Sequence, residues 1–235
     1  MERRVVASLA VALALGAGAC TSGPAASPVD ARTSVAVSRP AAADPCVPPP
    51  PAPTTWATFD APPDPASVRG RSLDATIRTT CGSLEVRLDG AAAPRGVASF
   101  VQLARSGWWR DSVCHRLTSY LSPLRFLQCG DPTGHDVGHP GYDVPLENVP
   151  ADGHYVRGML AGARGGLLRG GAGQFLVVYA DFTVPTGGPR YPVIGRVTRG
   201  LEAVDAVAAR GGEDTRPDGP PFRSVSILDV VVRPS

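Results

Sequence analysis

No lysine occurs in this chain: all 23 positive charges are arginine, set against 21 acidic groups for a formal net charge of +2. The signs are scattered, so there is no concentrated basic surface of the kind that nucleic acid or an anionic membrane requires, and neither is expected to bind the folded part. Aromatic residues are scarce at 6%, yet 43% of the 235 residues are apolar, enough for a genuine core and too many for a wholly disordered chain. The apolar run near the start, Val5 to Leu15, is too short to cross a bilayer. No internal repeat is visible. The glycine-rich run from Gly165 to Gly173 lacks the Gly-Lys-Ser/Thr ending of a phosphate loop, which removes the support for nucleotide binding. His135 and His139, with Asp131 and Asp136, sit in a Gly/Pro-rich loop without helical spacing or cysteine partners, so no metal site is expected. His115 and His154 read as a strand residue and a loop residue.

What is present begins with an address. Arg3 and Arg4 precede the Val5–Leu15 run, the pattern of a secretory signal over residues 1–19. The run leads through Gly16, Ala17, Gly18 and Ala19 to Cys20, which resembles a bacterial lipobox whose cysteine is lipidated and becomes the first residue. Ala17 stands where leucine is commonest, so cleavage with simple release is the competing reading. Removing residues 1–19 takes away Glu2, Arg3 and Arg4 and lowers the net charge from +2 to +1. The expected location is outside the cell, tethered by lipid to the outer face of the cytoplasmic membrane, with no other membrane contact.

From Thr21 to about Val68 the chain is rich in Ala, Pro, Ser and Thr and culminates in Pro48-Pro49-Pro50-Pro51. Such a segment buries too little to offset its ordering entropy and reads as a tether, so residues 20–70 form a linker and 71–235 the folded domain. Trp56 is the exception within it and is expected to pack on the domain that follows. Within the domain, Ala75–Thr79 and Ser83–Leu88 alternate in character around a Cys81-Gly82 turn and predict a hairpin. Pro94 opens a helix with Val97, Phe100, Val101 and Ala104 at helical spacing, stopped by Gly107. A second helix follows Gly200 with Leu201, Val204, Val207 and Ala208 on one face, and Ser224–Val232 closes the chain as a strand. Short strands lie between. Many strands with two amphipathic helices suggest a closed β-barrel, because closure removes exposed edges.

Several separated motifs carry a family resemblance. Val113-Cys114-His115-Arg116-Leu117, Leu127 to Gly134, Gly138 to Tyr142 and Gln174-Phe175 follow one another in the order and spacing of cyclophilins. Phe100 to Ala104 resembles the family's first helix, and Val193 to Val197 the stretch before its second. The likeness covers about residues 72–233 and is nearest to the extracytoplasmic lipoprotein cyclophilins of actinobacteria. It implies a mainly β fold, a closed antiparallel barrel of about eight strands capped by two helices, and peptidyl-prolyl cis-trans isomerase activity on proline-containing exported polypeptides, without a cofactor and as a monomer.

The resemblance also implies roles. Arg116 matches the arginine that donates toward the prolyl nitrogen, and Gln128 the glutamine that helps to hold it. Gln174 matches a substrate-contacting glutamine, Phe126 and Leu176 apolar walls of the proline pocket, and Ala163 a lining of the neighbouring groove. Phe126 is equally suited to an ordinary core. Departures cluster here. Arg125 stands where an aromatic wall is common and would set a charge beside the pocket. Leu176 replaces a phenylalanine, Arg164 an asparagine, and Tyr191 a frequent histidine. The Gly165–Gly173 loop is unusual, and no tryptophan stands near Val184. The altered groove leaves a second reading, a peptide-binding chaperone or scaffold that does not accelerate rotation.

With Cys20 set aside, Cys46, Cys81, Cys114 and Cys129 remain in an oxidising compartment, and four cysteines allow three connectivities. A hairpin of 113–117 with 126–130 in a register placing Cys114 directly opposite Cys129 would pair those two and leave Cys46 to tie the linker to Cys81. Unbonded cysteines filling core space are the alternative.

Overall fold

The computed structural model describes residues 46–163 and 172–234. The proposed signal and Cys20, Arg164 and most of the Gly165–Gly173 loop lie outside the described residues.

The chain opens its sheet with the expected hairpin, β1 (Ser72–Thr79) and β2 (Gly82–Asp89), paired residue by residue from Ser72 opposite Asp89 to Thr79 opposite Gly82. Helix α1 (Pro94–Ser106) follows; Pro94 supplies a preset φ at its first turn, and Gly107 at φ 69° ends it. Then come β3 (Arg116–Thr118), β4 (Phe126–Cys129), β5 (His154–Tyr155), β6 (Met159–Gly162), β7 (Phe175–Val178), β8 (Phe182–Thr183) and β9 (Val193–Arg199). Helix α2 (Leu201–Arg210), β10 (Asp218–Gly219) and β11 (Ile227–Pro234) complete the chain. Nine strands form one antiparallel sheet in the order β10-β3-β4-β7-β6-β9-β2-β1-β11, while β5 and β8 form a separate two-stranded ribbon.

The sheet is strongly curled. The segment before β3 meets the start of β11 through a Val113–Ser226 bridge and through amide bonds from Cys114 to Val225, from Asp111 to Ile227 and from Ile227 to Ser112. Eight strands therefore make the curl, and β10 is an added strand on the free side of β3, with Asp218 opposite Thr118 and Gly219 opposite Leu117. Joining the edges with these few bonds satisfies backbone groups that an open sheet would expose.

Alternation along the strands divides the apolar residues between two faces. Leu127 and Cys129 of β4, Phe175 and Val177 of β7 and Leu160 of β6 turn into the main core with Ile77, Leu84, Val86 and Leu88. The helices complete this core with Phe100 and Leu103 from α1 and Val204, Val207 and Ala208 from α2, much as their spacing predicts. Rings of Phe100, Trp109 and Phe175 meet at 4.6 to 6.0 Å. The intervening residues Phe126, Leu176, Val178 and Ala161 face the other way and join a second buried cluster with Tyr155, Ala163, Phe182, Val184 and Tyr191. Gly200, at φ 87°, lets β9 turn into α2 where a Cβ would come within 1.9 Å of the Ser83 carbonyl oxygen.

Two disulfides join Cys46 to Cys81 and Cys114 to Cys129. The register that motivated the second pair is corrected: Arg116 faces Gln128, so a continued ladder would put Cys114 across from Gly130. Cys114 has already left β3 and donates its amide to Val225, and this departure from regular pairing brings its sulfur to Cys129. Within the expected linker, residues 46–70 carry anchoring contacts: the Cys46 disulfide, an amide bond from Val47 to Thr80, another from Phe59 to Pro140, and Val68 buried in the core. Trp56, expected to pack, is exposed; Phe59 does so instead, edge-on to Tyr142 at 6.1 Å.

Candidate active site

Strand register assembles the site. Arg116 faces Gln128, Gln128 faces Leu176 and Leu176 faces Ala161, so one row crosses β3, β4, β7 and β6 on the face away from the main core. β3 is locked against β4 by Thr118, whose hydroxyl accepts the Phe126 amide at 2.8 Å and donates to the Phe126 carbonyl.

The Arg116 guanidinium has three sets of partners. Nη1 donates to Gln128 Oε1 at 3.1 Å, while Nε and Nη2 donate side by side to the Asp218 carboxylate at 2.6 and 2.7 Å. The guanidinium also lies over the Phe126 ring, 5.1 Å from its centre, the geometry of a cation–π contact. The Asp218 hydrogen bond raises the arginine pKa further against the opposing cost of burial, so Arg116 stays cationic. Of five guanidinium N–H groups, three are engaged by Asp218 and Gln128, and one each on Nη1 and Nη2 is left for a further acceptor. The side chains of Arg116 and Asp218 are 33% and 41% exposed, so water screens their attraction and the pair adds only about 0–1 kcal/mol to stability.

Gln128 is buried and satisfied at both ends, because its Nε2 donates to Gln174 Oε1 at 2.7 Å and lies 3.4 Å from Asp136 Oδ1. Gln174 is likewise buried, and its carbonyl accepts the Ala163 amide, which brings Ala163 to the site's edge. Phe126, Leu176, Ala163 and Tyr191 are all buried together in the second cluster. Phe126 is thus a core residue, the alternative weighed for it, and its ring also lies beneath the Arg116 guanidinium. Tyr191 packs edge-on to Phe126 at 5.9 Å, and its backbone is pinned on both sides by the Tyr155 hydroxyl, which accepts from the Tyr191 amide and donates to its carbonyl.

Arg125 is a correction. Its guanidinium turns back on its own loop, where it donates to the carbonyls of Ser119, Tyr120, Ser122 and Leu124 while lying over the Tyr120 ring. A residue just before a strand can staple the preceding turn this way whenever the turn's carbonyls converge.

On the other flank, Asp131 is wholly buried and its carboxylate accepts the amides of Thr133, His135, Val137 and Gly138 and the Thr133 hydroxyl. Burial alone would raise its pKa; the Thr133 and Val137 hydrogen bonds outweigh that and hold it below the ordinary carboxylate value. This cage shapes the 131–138 loop and delivers Asp136 beside Gln128. His115 is also buried, its ring nitrogens without hydrogen-bond partners and Nε2 3.8 Å from Asp136 Oδ1. Burial lowers its pKa below 6.5 even though Asp136 and Asp131 pull upward. His139 bonds Asp143 and the Gly141 amide, and His154 bonds Thr183. Among the described residues no group of three or more His, Cys, Asp or Glu is arranged to hold a metal ion. Val184 is part of the second cluster.

Sequence reasoning missed Asp218, Asp136 and the Tyr155–Phe182 stack. Asp218 is 102 residues from Arg116 in a Pro/Gly-rich stretch with no local pattern, and only the attachment of β10 to β3 brings it in. Tyr155 and Phe182 sit on two-residue strands too short to show a period.

A charged, fork-shaped donor held flat on an aromatic floor, beside paired glutamines on the outer face of a curled antiparallel sheet, defines a site for a polar, planar acceptor such as a peptide group. Residues 74–232 match the family model described as cyclophilin type peptidyl-prolyl cis-trans isomerase/CLD. The chain belongs to the cyclophilin-type peptidyl-prolyl cis-trans isomerase family. It is 36% identical over 178 residues to the probable peptidyl-prolyl cis-trans isomerase B of Mycobacterium leprae, covering 71% of this chain and 57% of the relative. Against the Mycobacterium tuberculosis H37Rv protein of the same description the identity is 35% over 189 residues, covering 74% and 58%. The chain thus spans less than two thirds of these relatives' length. A crystal structure of a Cryptosporidium parvum cyclophilin type isomerase shares the fold, with a TM-score of 0.54 at 22% identity over 70% of this chain and 99% of that one.

Proposed function

We propose that the chain is a working peptidyl-prolyl cis-trans isomerase for exported polypeptides, with Arg116 as its catalytic residue. The observation that carries this is the guanidinium of Arg116, held by Gln128 over Phe126 with two N–H groups still to give. Rotation about an X-Pro bond meets a barrier of roughly 18–20 kcal/mol raised by amide resonance, and uncatalysed exchange takes tens of seconds or more. Twisting the amide localises a lone pair on the prolyl nitrogen. A donor aimed at that nitrogen binds the twisted state better than either planar isomer, which is the condition for catalysis, and requires neither nucleophile nor metal. Arginine suits the task because it remains charged and presents its donors in a fixed plane. Gln128 holds the donor and is itself held by Gln174. Phe126, Leu176, Ala163 and Tyr191 supply the apolar surface beneath the prolyl ring.

Export to the outer face of the membrane through lipidated Cys20 is supported by the Arg3-Arg4, Val5–Leu15 and Cys20 pattern, and two disulfides suit an oxidising compartment. The test of the activity is a protease-coupled proline-peptide assay at low temperature with refolding of a proline-limited protein beside it. Arg116→Ala should lower turnover about a hundredfold or more, the loss seen on removing one preorganised donor, while the melting temperature holds. Arg116→Lys, which keeps charge without the fork, should recover part of the activity. A wild-type chain that binds proline peptides yet accelerates neither reaction would establish the peptide-binding scaffold instead.

A further inference from the structure

We infer that Asp218 is a positioning residue for Arg116, acting through the arginine without touching the substrate. The inference rests on Arg116 being the catalytic donor. Three observations carry it. First, the contact is bidentate: Nε and Nη2 donate to the two carboxylate oxygens at 2.6 and 2.7 Å, so the guanidinium plane is set by Asp218 as well as by Gln128. An arginine held at Nη1 alone could rotate about that bond; held along its Nε–Nη2 edge as well, it cannot, and the two unengaged N–H groups keep one direction.

Second, the carboxylate is itself fixed. β10 is only Asp218–Gly219, yet it is paired to the strand that carries Arg116, with Asp218 opposite Thr118, and the adjoining Pro217 carbonyl accepts the Ser119 amide. The loop behind it is closed by a Glu213 amide bond to Pro220 and an Arg216 amide bond to Glu213. Donor and carboxylate therefore ride on one piece of sheet. Third, both groups are partly exposed, so the pair is poorly suited to stabilising the fold and well suited to restricting rotamers at a surface site. A flexible arginine would spend much of its time away from the prolyl nitrogen, and misplacement by about 1 Å can cost on the order of a hundredfold in rate.

The test uses the full chain. Asp218→Ala should lower kcat/KM at least ~10-fold, through kcat, with KM for the proline peptide nearly unchanged, and Asp218→Asn, which keeps one acceptor, should fall between. In an Arg116→Ala background, Asp218→Ala should produce no further loss, because residues that act through one another are not additive. A readout independent of turnover is the Arg116 Nε–H resonance, assigned by its disappearance in Arg116→Ala; the carboxylate bond should shift it downfield and slow its exchange, and Asp218→Ala should abolish both effects. Asp218→Ala with wild-type or faster turnover, or an unmoved Nε–H signal, would overturn the inference. Wild-type turnover surviving Arg116→Ala would overturn the catalytic assignment instead, and the two failures are separate.

Discussion

At the scale of single residues, the environment of the site decides what each ionisable group does. Asp131 and His115 are both buried, yet one is charged and well partnered while the other is kept neutral by its surroundings. The His115 imidazole has a pKa below 6.5 because burial outweighs the pull of Asp136 and Asp131. Its folded state therefore binds protons less readily than its unfolded state. The stability it confers is complete above pH 6.5 and is lost as the pH falls from 6.5 toward the lowered value. The melting temperature should drop between pH 7.5 and 5.5, and His115→Gln should flatten that drop; an unchanged slope in the variant would refute the assignment. Asp131 follows the same sign at lower pH: its depressed pKa gives stability that is present above its ordinary 3.8 and lost as the pH falls through the lowered value. Arg116, Gln128 and Gln174 were legible as a set through the family resemblance, which the order of several separated motifs carries. Their second neighbours were not, since a lone aspartate in a Pro/Gly-rich stretch has no period to read.

At the scale of elements, the helices and the first hairpin followed from pattern, whereas short strands did not. α1 runs from Pro94 to Ser106 where Pro94 and Gly107 bracket a helical repeat, and β1 and β2 extend the predicted hairpin by one to three residues at their ends. β5, β8 and β10 are two residues each and exist because a neighbour pairs with them. The Cys114–Cys129 disulfide joins the segment before β3 to the end of β4, the two strands that present Arg116 and Gln128. Its loop spans 15 residues, for which cross-linking contributes roughly 3 kcal/mol by restricting the unfolded chain. Replacing both cysteines with serine should lower stability by about that amount in urea melts and lower kcat more than it raises KM. Peptide mapping of the unreduced protein should recover Cys114 with Cys129 and Cys46 with Cys81. Free thiols at both Cys114 and Cys129 would contradict this.

At the scale of the whole molecule, a folded unit carrying the site is preceded by a Pro- and Ala-rich stretch whose length suits a tether. Cys20→Ala should move the protein from the membrane to the soluble exported fraction, followed by fractionation and immunoblot; full membrane retention would refute the anchor. The sequence by itself determined the family and the two helices, because these depend on local periodicity and on side-chain types at set spacings. It also divided the first two strands between two faces, since a period of two does that without knowledge of the partner strand. Beyond the first hairpin, only the tertiary structure decided how the strands are ordered in the sheet. The curl places β3 beside β4 and then adds β10, so Asp218 reaches an arginine 102 residues earlier in the chain. Likewise it folded the Arg125 guanidinium back on the preceding turn, whose carbonyls accept its hydrogen bonds. Contacts of this kind are set by loop closure and packing over long separations, and those terms have no signature in any window of sequence.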